Sequence, residues 1–134
     1  MRSIKNILVL SLLSAHSYVL MARDPVAARI YWVDVDGGAA TLIVTPAGES
    51  ILIDDGENKP LHAARIFAAM KFAGVEWIDH FVISHWHADH YGGTHELTKL
   101  APIRKYYANT DLPSAVSDDP AFPILMPLYR QTNP

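Results

Sequence analysis

Four side chains able to bind a metal ion fall within six residues, in the run Ser84-His85-Trp86-His87-Ala88-Asp89-His90-Tyr91-Gly92-Gly93. Along an extended segment, side chains at i and i+2 project to the same side. His85 and His87 can therefore close on one ion, while Trp86 and Ala88 face away. A tighter turn just after them carries Asp89 and His90 toward a second position beside the first. Imidazole nitrogens and a carboxylate oxygen suit zinc, at ligand distances of roughly 2.0–2.2 Å. The alternative is a chance cluster of ordinary histidines. Against it, the run follows an apolar strand and precedes a glycine pair, the setting such a site requires. The remaining candidates read differently. His80 on its apolar strand reads as a packed histidine, His95 falls on the exposed side of a helix, and His62 sits in an earlier helix away from the loop. Trp86 either lines a substrate pocket or shields the loop from water, and Tyr91 is equally open.

The loop needs a scaffold, and the sequence supplies one. Arg29 to Val35 mixes Ile, Tyr, Trp and Val in the manner of a strand. Asp36-Gly37-Gly38 is a turn, Thr41 to Thr45 a second strand, and Pro46-Ala47-Gly48-Glu49 a hairpin signal. Ile51-Leu52-Ile53 returns as a third strand ending in Asp54-Asp55-Gly56, which completes an antiparallel meander. Pro60 opens a helix in which Leu61, Ala64, Ile66, Phe67, Met70 and Lys71 follow helical spacing, and Gly74 stops it. Ile78 to Ser84 is a strand whose continuous apolar end implies burial on both faces. A second helix is expected from about Tyr91 or Thr94 to Leu100, then a short strand over Ile103 to Tyr107. Beyond Asn109 the pattern weakens under prolines at 113, 120, 123 and 127. The fold class is α/β, one mixed sheet with helices on one face, and ligand-bearing loops belong at its strand ends.

Composition sets the limits. A chain of 134 residues forms one domain at most; half of it is apolar and 19% is charged, which is globular usage. The net charge of −3 and the lack of a basic block disfavour nucleic acid as a partner. Without cysteine, any metal must be held by His and Asp. Residues 1–17 look like a signal peptide: Arg2 and Lys5, an apolar stretch from Ile7 to Leu13, then Ala15-His16-Ser17. The stretch is too short for a membrane anchor; the other reading is an uncleaved N-terminal strand. A periplasmic or secreted location follows from the first.

The three blocks Asp34-Val35-Asp36-Gly37-Gly38-Ala39-Ala40-Thr41-Leu42-Ile43, Ile51-Leu52-Ile53-Asp54-Asp55-Gly56 and His85 to Gly93 together resemble the metallo-β-lactamase fold hydrolases, in particular a secreted, competence-protein-like branch. The resemblance covers about Arg29 to Ala108. It implies the N-terminal half of an αββα sandwich, residues 26–134 forming a partial domain. It also implies two zinc ions, His85 and His87 on one, Asp89 and His90 on the other. Asp89 would be the catalytic carboxylate that ligates zinc and holds the proton of the nucleophile. Asp54 would orient the histidine loop without binding metal, a role in which a carboxylate fixes an imidazole tautomer; the plainer reading of Asp54 is a turn residue ahead of Gly56. The chemistry implied is metal-assisted hydrolysis of an ester, amide, lactone, thioester or phosphodiester bond in a small molecule. Relatives often carry an acidic residue where this chain has Ala39.

The same resemblance exposes a shortfall. Family members complete their zinc sites with downstream histidines and a bridging aspartate, whereas no histidine follows His95, and Asp111, Asp118 and Asp119 do not replace imidazoles. Two ligands per ion is fewer than the three usual for catalytic zinc. The expectation is a truncated hydrolase with an open apolar sheet face prone to self-association. The rival is a non-catalytic metal-binding or interaction half-domain. An iron redox protein is disfavoured, because relatives of that kind put an acidic residue where His87 stands.

Overall fold

The computed structural model describes residues 27–108 and 121–132. The leader-like residues 1–17 and the acidic positions Asp111, Asp118 and Asp119 lie outside the described residues. The elements run β1 (Arg29–Trp32), β2 (Thr41–Val44), β3 (Ser50–Ile53), α1 (Pro60–Ala73), β4 (His80–Ile83), α2 (Ala88–Tyr91), α3 (Thr94–Leu97), β5 (Tyr106–Ala108) and α4 (Phe122–Thr132).

One mixed sheet of five strands in the order β1-β2-β3-β4-β5 carries the fold. The expected meander is present, β1 and β2 pairing antiparallel and β2 with β3 likewise. Strands β4 and β5 then add in parallel, each after a helical crossover. Register places Tyr31, Leu42, Leu52, Phe81 and Tyr106 in one row across all five strands. Most of this row is fully buried, beneath Ile66 and Met70 of α1, Leu97 of α3 and Leu125 of α4. Burying side chains of that size contributes about 1.5–3 kcal/mol each. The opposite row, Trp32, Thr41, Ile53, Val82 and Tyr107, is half-buried at most, and Trp32 is 80% exposed. Burial on both faces, expected for β4, is therefore not found: Phe81 and Ile83 are buried, while His80 and Val82 are not.

Helix α1 follows its sequence signals closely. Pro60 occupies the first turn, where a missing N–H costs nothing, and Gly74 caps the end at φ 73° with its N–H directed at Lys71 O. Buried His62, Ala63, Ile66, Met70 and Ala73 recur at three- and four-residue steps, facing the sheet. The second helix, expected from about Tyr91 or Thr94 to Leu100, is the single turn α3, and a further turn, α2, precedes it; Gly92 and Gly93 between them keep helical backbone angles. Helix α4 was not expected. Pro123 stands in its first turn and Pro127 inside it, so only the bond back to the first turn is lost.

Candidate metal centre

The ligand loop leaves the C-terminal end of β4 beside the C-terminal end of its parallel neighbour β3. Backbone bonds fasten it to the two earlier loops. The N–H of Asp55 donates to His90 O at 2.9 Å, that of Gly93 to Gly56 O at 3.0 Å, and that of Ala39 to Asp89 O at 3.3 Å. Glycine is required where these backbones meet: a Cβ on Gly38 would lie 2.3 Å from Asp89 O, and one on Gly93 2.1 Å from Asp55 O. Two of the three sequence blocks thus exist to seat the third.

Asp54 anchors the arrangement. It is 3% exposed and adopts φ 60°, a conformation that Asp tolerates better than most side chains. Its Oδ1 accepts the Ser84 N–H at 2.8 Å, and its Oδ2 accepts the Ser84 hydroxyl at 2.7 Å and Nδ1–H of His90 at 2.8 Å. A simple turn residue has no such set of partners. Ser84 Oγ also lies 3.0 Å from Nδ1 of His85 and 3.4 Å from Nδ1 of His90. In the sequence Ser84 is only the last residue of a strand; its position directly before His85 is the one signal of this role.

The four candidate ligands lie together, and two of their contacts match the expected pairs. Nε2 of His85 and Nδ1 of His87 face each other at 3.1 Å, and Nε2 of His90 lies 3.6 Å from Oδ2 of Asp89. The rings of His85 and His90 are 3.8 Å apart between centroids, so the pairs are adjacent. Two ligands on a tetrahedral zinc are separated by roughly 3.3 Å, given bonds of about 2.0–2.1 Å. Both pairs lie near that spacing, and the donor chemistry fits. Among the described residues, however, no three His, Cys, Asp or Glu side chains are grouped to hold one ion.

The other candidates separate from this centre. Trp86 is 8% exposed and packs edge-on to Tyr91, 5.5 Å between rings, which fits the shielding role of the two expected for it. His80 is not packed in the core; it is half-buried on the open sheet face, 3.0 Å from the Tyr107 hydroxyl. His95 keeps one edge toward solvent, although its Nδ1 is buried. His62 lies in α1 as expected, and it is fully buried. It accepts the Glu57 N–H at Nδ1 and donates from Nε2 to Asp36 at 3.0 Å, tying the β1–β2 turn to the loop after β3. A cavity of about 330 Å³ lies at the far end of β3 and β4, lined by Glu49, Ser50, Trp77, Asp79 and Arg104. Arg104 bonds Asp79 there at 2.8 Å, while Glu49 and Glu76 leave its rim acidic.

The family described as the Metallo-beta-lactamase superfamily matches residues 33–126. The lactamase-like protein nscB of Neosartorya fischeri is 32% identical over 58% of this chain and 24% of its own. An atrochrysone carboxyl ACP thioesterase of Emericella nidulans is 32% identical over 59% and 25%. Among solved structures, MEM-A1, a subclass B3 metallo-beta-lactamase from a soil metagenome library, aligns at 35% identity and a TM-score of 0.48, covering 60% of this chain and 30% of that one. The matched stretch is about a quarter the length of these curated relatives.

Proposed function

The chain belongs to the metallo-beta-lactamase superfamily, and from that premise we propose that it is the metal-binding half of a zinc-dependent hydrolase. The observation that carries this reading is the pairing of His85 with His87 and of Asp89 with His90, side by side at the end of β4. His85 and His87 would hold one ion and Asp89 and His90 the other. Bound zinc would supply Lewis acidity and an activated water near neutral pH.

The chain's own residues do the positioning. Asp54 accepts Nδ1–H of His90, which leaves Nε2 of that ring, in its neutral form, bare toward Asp89. Asp89 Oδ2 is the group placed to take or hold a proton beside a substrate, which is why we assign it the catalytic role. Trp86 and Tyr91 close the underside against water. The substrate class supported by the relatives is a small molecule with a hydrolysable acyl bond, a thioester among them.

The absence of a third ligand among the described residues favours a second reading, a metal-binding module without turnover. Zinc analysis of the purified chain, coupled to hydrolysis of a generic thioester and a β-lactam, decides between them. Zinc with turnover supports the hydrolase, and zinc without turnover supports the module. Loss of zinc in His87→Ala is expected under both. The open face bearing Trp32 and Ile30 supports self-association. The leader-like residues 1–17 support export to the periplasm or beyond, which N-terminal sequencing of the mature protein tests.

A further inference from the structure

We propose that Ser84 is a positioning residue that relays the Asp54 carboxylate to His85, so that a single buried acid sets the tautomer of one histidine in each ligand pair. The inference rests on the metal-binding reading of the loop. It follows from counting protons. The Asp54 carboxylate has only acceptors, so each of its short contacts must bring its own hydrogen. Ser84 has one hydroxyl hydrogen, and the 2.7 Å contact to Asp54 Oδ2 uses it. Toward His85, 3.0 Å away, Ser84 Oγ can then only accept. Nδ1 of His85 must therefore carry a hydrogen, and in the neutral ring Nε2 is left with its lone pair, directed at His87.

Direct contact to Asp54 imposes the same state on His90. In their neutral forms both rings turn a bare nitrogen toward the ligand partners, Nε2 of His85 and Nε2 of His90. His87 has no such support from Asp54. With Nε2 of His85 bare, the 3.1 Å contact between the two rings is closed by Nδ1–H of His87. His87 is then the one imidazole of the three that must change tautomer to bind through the nitrogen it presents.

Two-bond proton–nitrogen correlation spectra of the metal-free chain, labelled with 15N-histidine, read each tautomer directly. The expected result is Nδ1–H for His85 and His90. Ser84→Ala should release His85 toward a mixture while His90 is unchanged, and Ser84→Thr should restore the wild-type pattern. Zinc affinity, measured by competition with a chromophoric chelator, should fall on the order of 10-fold in Ser84→Ala and recover in Ser84→Thr. A wild-type His85 protonated at Nε2 overturns the proposal whatever the variants do, and so does a Ser84→Ala chain whose His85 is unaltered. A wild-type chain that binds no zinc defeats the metal reading instead, with the tautomer spectra still deciding the role of Ser84.

Discussion

Gly38 and the carbonyl oxygen of Asp89 approach so closely that a methyl group on the glycine would stand 2.3 Å from that oxygen. The contact joins the turn after β1 to the ligand loop after β4. Gly37, one residue earlier, meets nothing within 4 Å. Gly38→Ala should therefore displace the loop, costing about 1–3 kcal/mol and reducing zinc uptake. Gly37→Ala should behave as wild type in both thermal melts and zinc binding. Equal behaviour of the two variants would contradict the packing described.

Asp54 is the second fixed point. Asn at this position tolerates the same backbone conformation but turns an NH₂ toward donors that need acceptors. Asp54→Asn should lose about 1–3 kcal/mol of stability by chemical denaturation. Its zinc affinity should fall about 10–100-fold. Retention of wild-type zinc affinity would leave Asp54 with a purely structural part.

Much of this centre was legible in the residues themselves, for reasons that are local. A run of ligand side chains after an apolar strand needs no tertiary information to be noticed, and Pro60 with Gly74 brackets α1 by backbone chemistry alone. What escaped notice depended on contacts between distant segments. Ser84 has its role only once Asp54, 30 residues earlier, is beside it. His62 gains its own from Asp36, 26 residues away. Helix α4 was hidden by Pro123 and Pro127, whose cost is small where Phe122, Leu125 and Tyr129 can pack on the core. Burial of β4 was overestimated because an apolar run does not reveal whether a second layer lies over its other face.

Acid should unfold the chain partly through Asp79. Burial pushes its carboxyl up, but the hydrogen bonds it accepts from Ser50, Trp77 and Arg104 outweigh this and hold it below the usual carboxylate value. A depressed folded value means stabilisation that is present above the unfolded value of about 3.9 and is lost as pH falls through the folded one. Melting temperatures taken from about pH 6 down past that value should drop on the acid side, with a shallower drop in Asp79→Asn. Identical acid limbs would remove Asp79 from the explanation.

Trp32 is the most exposed aromatic of the open sheet face, with Ile30 also 48% exposed on the same edge strand. Sedimentation velocity should show the mean mass rising above 14.9 kDa as concentration increases. Trp32→Lys should suppress the rise by placing a charge on the strand edge. A wild-type chain that stays monomeric at high concentration would contradict self-association through this face.

The central claim is that His85, His87 and His90, with Asp89, face common cation positions. A zinc titration followed through the ring nitrogen signals of the individual histidines tests it at residue level. The account predicts that the signals of His85, His87 and His90 move together on zinc addition while those of His62 and His80 stay in place. Movement confined to other histidines, or no movement at all, would contradict it.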